Sequence, residues 1–160
     1  MKDPIKLKRP ENYYIRKLLK DVKLKEIMTD RIVTVHVDAL FSEVAEKLTN
    51  HGFRHLPIIN DEKQLVGLIT ERDLFKIQAP RRLEDGSWYF DKDMLDAVIL
   101  RTVMTQNPFT MHPDDSLGEA VVQMVRKKYG CIPVVDQNGR LCGIITQMDI
   151  LKIAAQIYLE

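Results

Sequence analysis

Two short segments carry residue types that could meet a phosphate and a sugar hydroxyl. They are Gly67-Leu68-Ile69-Thr70-Glu71-Arg72-Asp73 and Gly143-Ile144-Ile145-Thr146-Gln147-Met148-Asp149. Each reads as an apolar strand that passes through Thr-x-x-Asp into a helix. A helix N-terminus offers free N–H groups and the positive end of a dipole, which suits a phosphate. A threonine hydroxyl there can bond a phosphate oxygen, and a nearby carboxylate can accept the hydroxyls of a ribose. The same residues are also close to a capping box, with Thr at the N-cap and an acid three positions on. Capping boxes favour Glu or Gln at that third position, whereas both segments have Asp. The local pattern alone leaves both readings open.

What precedes each corner differs. Arg54-His55 leads into Leu56–Ile59, which contains Pro57, whereas Gly130-Cys131 leads into Ile132–Val135, which contains Pro133. Arg54 supplies a permanent forked cation, and His55 a charge that can vary near neutral pH. The alternative is a surface arginine and an ordinary half-buried strand histidine. Arg126, Lys127 and Lys128 stand at a predicted helix end, where cations are favourable in any case. His36 and His112 have no second ligand at metal spacing and read as structural. A hairpin centred on Asn138-Gly139 sets Cys131 and Cys142 four strand positions apart, about 13 Å. That is too far for a disulfide, and the spacing is a poor zinc pattern. Buried free thiols are expected, and no metal.

The elements that position these residues follow from an internal repeat. Shifting the chain by 76 residues gives 15 identities over positions 24–77 without a gap, where chance gives about three or four. Thr34, Pro57, Gly67, Thr70 and Asp73 fall on Thr110, Pro133, Gly143, Thr146 and Asp149. Each copy begins with an extended run, Ile32–Val35 or Phe109–Met111. Apolar residues at helical spacing follow, at Leu40, Phe41, Val44, Ala45 and Leu48, or Leu117, Ala120, Val121, Met124 and Val125. Two strands come next, Leu56–Ile59 with Leu65–Thr70, and Ile132–Val135 with Leu141–Thr146, then a second helix. The expected unit is β-α-β-β-α. A unit of this size is marginal alone, so the two copies are expected to bury their sheets against each other. The boundaries read as a basic helical extension 1–22, repeat one 23–78, a connector 79–97, repeat two 98–155 and a helix end 156–160. Within the connector, Pro80 ends the preceding helix, Asp85-Gly86 is a turn and Asp91–Arg101 reads as one helix.

Composition narrows the function class. The 160 residues carry a formal net charge of +1 and 45% apolar residues, ordinary for a soluble globular chain. No apolar run approaches the ~20 residues of a membrane helix, and Met1-Lys2-Asp3-Pro4 opens no signal peptide. Residues 1–25 hold nine basic and three acidic residues, net +6, which leaves −5 for the rest. A basic arm can meet nucleic acid or anionic lipid. Tyr13, Tyr14, Leu18, Leu19 and Val22 near helical spacing favour packing on the body instead. The arm also lacks the aromatic interleaving of a nucleic-acid reader. A cytoplasmic protein without membrane insertion is expected. The sequence contains no Walker-type loop, metal cluster or Ser-His-Asp arrangement. Asp73 and Asp149 stand in equivalent positions of separate copies, which argues for two binding sites rather than one acid–base pair.

The apolar-Pro-apolar-apolar strand, the Gly-h-h-Thr-x-x-Asp corner and the preceding Thr-h-x-x-Asp segment resemble CBS domains, and two in tandem resemble a CBS pair, or Bateman module. The match covers residues 23–155. The resemblance implies an α+β fold of two β-α-β-β-α repeats packed about a pseudo-two-fold axis, with clefts that take adenosine-containing ligands. Asp73 with Thr70, and Asp149 with Thr146, would hold ribose and phosphate. Thr34 with Pro57, and Thr110 with Pro133, would flank the base. Arg54, His55, Gly130 and Cys131 would stand at the cleft openings. The expected function is a stand-alone regulatory module, not an enzyme, that needs no cofactor. It binds AMP, ADP or ATP as regulatory ligand, forms a homodimer and signals to a separate protein partner. The alternatives are a dimerisation module with empty clefts, or a sensor of S-adenosylmethionine, NAD or a cyclic dinucleotide.

Overall fold

The computed structural model describes residues 9–50, 52–78, 81–86 and 88–159. In chain order the elements are α1 (Arg9–Asp21), α2 (Leu24–Ile27), β1 (Val35–His36), α3 (Phe41–Asn50), β2 (His55–Ile59), β3 (Leu65–Thr70), α4 (Glu71–Ile77), β4 (Arg81–Arg82), β5 (Trp88–Tyr89), α5 (Lys92–Asp96), α6 (Leu100–Val103), β6 (Thr105–Gln106), α7 (Leu117–Lys127), β7 (Cys131–Val135), β8 (Leu141–Thr146) and α8 (Gln147–Leu159). They form two compact units. The first comprises Arg31–Phe109 with Gln137–Leu141; the second comprises the described residues up to Asp30, Thr110–Asp136 and those from Cys142 on.

The first unit is built on a sheet of order β1-β2-β3-β6. β1 runs parallel to β2, with Val35 opposite Ile58. The β2–β3 hairpin pairs His55 with Thr70 and Leu56 with Ile69, and an irregularity after Ile58 accommodates one extra residue. The alternate apolar residues Leu56, Ile58 and Ile69 are buried, as are Phe41, Val44 and Leu48 on one face of α3. Leu74 of α4 and Leu95, Leu100 and Met104 close the same core. Burial of this kind is the main favourable term, about 1.5–3 kcal/mol for each large aliphatic side chain.

The second unit repeats the pattern with shorter pairings. β7 and β8 form a hairpin, flanked by single bridges from Met111 to Val134 and from Thr29 to Ile144. These are the register equivalents of Val35–Ile58 and of Leu68–Thr105 in the first unit. Leu24, Met111, Ala120, Met124, Ile132, Val134 and Ile145 form its core.

The segment before each copy is built into the unit that carries the other copy. Leu24 and Met28 pack in the second unit, Leu100 and Met104 in the first. Gly67 and Gly143 permit this: a Cβ on Gly67 would collide with the Met104 sulfur, and one on Gly143 with the Met28 sulfur. The repeated Met and Gly identities are thus a repeated contact.

Four local expectations change. The extended run Ile32–Val35 enters the sheet only at Val35, because Pro57, the next residue of β2 in register, has no N–H to extend the ladder. Leu40 is exposed and precedes α3. Asp91–Arg101 is not one helix. α5 ends at Asp96, whose Oδ1 accepts from Ser42 N at 3.0 Å, and Ile99 is extended before α6 begins. The connector also contains a small hairpin, β4 with β5, around the turn at Asp85-Gly86. α4 ends at Ile77, and Gln78 is already extended; Pro80 lies outside the described residues. So do residues 1–8 of the basic arm. Its helix α1 reaches α7 through Leu19, which abuts Gly118, and through a bond from Leu117 N to Val22 O. Tyr13 and Tyr14 are exposed and stack edge to face on each other.

Candidate ligand-binding site

In each unit the antiparallel hairpin delivers its second strand to the N-terminus of the next helix. In the first unit, Thr70 is the last residue of β3 and the N-cap of α4. The Asp73 carboxylate turns back on it: Oδ2 accepts from Thr70 N at 3.1 Å and from Thr70 Oγ1 at 2.7 Å. The other oxygen, Oδ1, accepts from Lys76 Nζ at 2.9 Å. The second unit repeats this arrangement. Asp149 Oδ2 accepts from Thr146 N at 2.8 Å and from Thr146 Oγ1 at 2.7 Å, while Lys152 Nζ stands 3.9 Å from Oδ1. The capping reading of Thr-x-x-Asp is therefore realised in both copies, and Asp serves where Glu is commoner. It does not exhaust the group. One carboxylate oxygen is spent on the cap, and the other faces a lysine whose side chain is 68% or 71% exposed.

The surrounding candidates gather at the same end of each sheet. His55 lies opposite Thr70 across the hairpin. The parallel register of β1 and β2 sets Thr34 beside Pro57. Thr34 O accepts from Lys47 Nζ at 3.1 Å. Arg54 has an exposed side chain, and its carbonyl accepts from Glu71 N at 3.2 Å, holding the start of α4 against β2. In the second unit Gly130 O accepts from Gln147 N at 3.1 Å in the same way. Met111 N donates to Pro133 O at 3.1 Å, which brings Thr110 to that end. Pro57 and Pro133 are buried.

Local electrostatics differ between the copies. Burial pushes the Asp73 carboxyl up, and hydrogen bonds from Thr70 and Lys76 outweigh it, so the group sits below the ordinary carboxylate value. Burial, then the Arg54 cation, holds His55 below its usual value against the opposing pull of Asp73. Cys131, in the place of His55, is a buried free thiol pushed up to about 12 by burial; it is a packing group, not a nucleophile. Cys142, likewise outside any disulfide, is partly buried.

Lys76 and Lys152 belong to the site although the sequence reading gave them no role. They were visible as a repeated identity three residues after the aspartate, the spacing at which helical side chains meet. Among the described residues no group of three or more His, Cys, Asp or Glu side chains is placed to hold a metal ion.

Comparison with known proteins agrees with this arrangement. Residues 24–79 and 100–156 match the family model of the CBS domain. Uncharacterized protein MK0525 of Methanopyrus kandleri is 32% identical over 136 residues, covering 84% of this chain and 64% of its own length. A homoserine O-acetyltransferase of Methanococcoides burtonii is 29% identical over 142 residues, 89% of this chain but 26% of that protein. The chain thus spans less than two thirds of either relative. Among solved structures, the CBS domain pair of protein MJ0100 in complex with 5'-methylthioadenosine and S-adenosyl-L-methionine superposes with a TM-score of 0.69. It is 27% identical and covers 84% of this chain and 97% of that one. CBSX2 in complex with AMP gives a TM-score of 0.67 at 25% identity, over 85% of this chain and 98% of that one. Two family matches, each holding one hairpin, one Thr-x-x-Asp corner and the helix it starts, account for most of the sequence: the chain belongs to the CBS domain family and carries two copies of the domain in an α+β fold.

Proposed function

We propose that this chain is a regulatory module, not an enzyme. In this reading it binds adenosine-containing ligands, AMP, ADP or ATP foremost, at its two Thr-x-x-Asp corners and passes their occupancy to a separate protein. The observation that carries the reading is the divided carboxylate. Asp73 and Asp149 each spend one oxygen on their own cap, while the other meets a surface lysine that a ribose hydroxyl can replace. A surface ion pair contributes about 0–1 kcal/mol, so the exchange costs little. The helix N–H groups and the threonine then face the phosphate side. Thr34 and Pro57, or Thr110 and Pro133, flank the base; Arg54 and His55, or Gly130 and Cys131, stand at the opening. The complexes of MJ0100 and CBSX2 support an adenosine-type ligand here.

Two further parts of the reading concern assembly and place. Val122 and Val125 on α7, and Leu151 and Ile157 on α8, are exposed apolar residues that support a homodimer. Two cysteines outside any disulfide fit a reducing cytoplasm, and no described helix is long and apolar enough to cross a membrane.

A thermal-shift panel of AMP, ADP, ATP, S-adenosylmethionine, NAD and a cyclic dinucleotide tests the proposal. A ligand present at 100 times its dissociation constant stabilises by about 2.7 kcal/mol. The MJ0100 complex favours S-adenosylmethionine as a second reading, and a shift by it without one by AMP would select that ligand. No shift by any member at millimolar concentration would leave a module with empty sites and overturn the proposal.

A further inference from the structure

A second concavity lies within the first unit and has no residue of the Thr70–Asp73 corner in its lining. It is a groove of about 440 Å³ between α3 and the connector around β5 and α5, a size typical of small-molecule sites. Its floor is apolar, with Ala45 and Leu95 buried. The connector wall presents the aromatic rings of Tyr89 and Phe90, and Tyr89 is 42% exposed.

The two walls carry opposite charges that do not meet each other. Glu46 lines the groove from α3 and Lys92 from α5. Other charges nearby are engaged: Glu43 holds Lys47 at 2.9 Å, and Asp96, which feels Lys92 at longer range, accepts from Ser42 N. Among the described residues no hydrogen bond or ion pair within 4.0 Å joins the Glu46 carboxylate or the Lys92 ammonium to another group. A simple cation seated against Glu46 would face Lys92, and a simple anion the reverse. A molecule that carries both charges answers the two walls together and lays its remaining atoms on the apolar floor and the aromatic wall.

We propose that this groove binds a free α-amino acid with an apolar or aromatic side chain, its ammonium on Glu46 and its carboxylate on Lys92. The site is independent of the nucleotide reading, because it shares no residue with either corner. The test is titration calorimetry of the full chain with L-leucine and L-phenylalanine, each beside its methyl ester and its N-acetyl derivative. Both free amino acids should bind, and masking either charge should weaken binding about fivefold, the effect of one exposed ion pair of about 1 kcal/mol. Glu46→Gln and Lys92→Gln should each cost a similar factor and leave AMP binding unchanged. Both residues are exposed, so neither substitution threatens the fold. Absence of binding by both free amino acids at millimolar concentration would overturn the proposal. So would methyl esters that bind as tightly as the free acids, which would indicate a cation site only, or unaltered affinity in both variants.

Discussion

Replacing the corner aspartates one at a time separates their two roles. In the folded chain Asp73 accepts two bonds from Thr70 through one oxygen and one from Lys76 through the other. Asp73→Ala removes the cap partner, an effect of about 1 kcal/mol that lowers the melting temperature by roughly 2–4 °C for a chain of this size. Asp149→Ala removes the same two bonds from Thr146 and should lower it equally. Ligand affinity should not respond equally. A hydrogen bond to a charged group is worth about 1.5–3 kcal/mol, or roughly ten- to 150-fold in affinity. On the proposed reading both corners hold a ribose, yet only the first adds Arg54. The Lys76 bond that a ribose must displace there is about 1 Å shorter than its counterpart at Lys152. That penalty, at most about 1 kcal/mol at an exposed lysine, is smaller than the contribution of an arginine to a phosphate. The first corner should therefore bind AMP more tightly. In titration calorimetry Asp73→Ala should abolish the tight phase, Arg54→Ala should weaken it while sparing adenosine, and Asp149→Ala should touch only a weaker phase. Loss of the tight phase in Asp149→Ala with none in Asp73→Ala would refute the reasoning and make the Gly130-Cys131 corner the principal site.

Other consequences follow from the same coordinates. The turn residue Lys63 has φ 62° at the repeat position where the second copy has Gly139 at φ 76°; Lys63→Gly should raise stability by about 1 kcal/mol in urea denaturation. Gly143→Ala should destabilise by about 1–3 kcal/mol through the Met28 sulfur, and Met28→Ala should recover part of that loss in the double variant. His55 has its pKa lowered in the fold, so the unfolded chain binds more protons between that lowered value and about 6.5. Stability should fall as pH drops below about 6.5, and His55→Gln should flatten that slope in pH-dependent melting. Asp73 is shifted down, so the stability it contributes is present above about pH 4 and is lost as pH falls through the lowered value. Asp73→Ala should lack that acid-side loss.

The corners were legible because everything that builds them is local. A strand, a cap and a helix start within seven residues can be read without knowing what lies across the fold. Duplication then turned an ambiguous capping pattern into a repeated one. The hairpins were legible for the same reason, and β3 and β8 have the read boundaries, Leu65–Thr70 and Leu141–Thr146. What escaped depends on distant partners. Nothing around Asp96 shows that its carboxylate leaves its own helix to cap Ser42 N, so Asp91–Arg101 reads as continuous. The run Ile32–Val35 stops pairing before Val35 although β2 continues to His55, because Pro57 across the register has no N–H to give. The opposed charges of Glu46 and Lys92 share a groove only because the connector folds back on α3.

The exchanged segments bear on whether one copy could stand alone. Leu24 and Met28 complete the unit that carries the second copy, and Leu100 and Met104 complete the one that carries the first. A lone repeat of this design has its own leading segment but no neighbouring one to receive in return. It could finish its core only by trading that segment with another molecule, as in a domain-swapped pair. Two repeats in one chain make that exchange intramolecular and remove its dependence on concentration. By the same logic, fragments severed between the repeats should each be incomplete alone and should regain structure when mixed, as split proteins do.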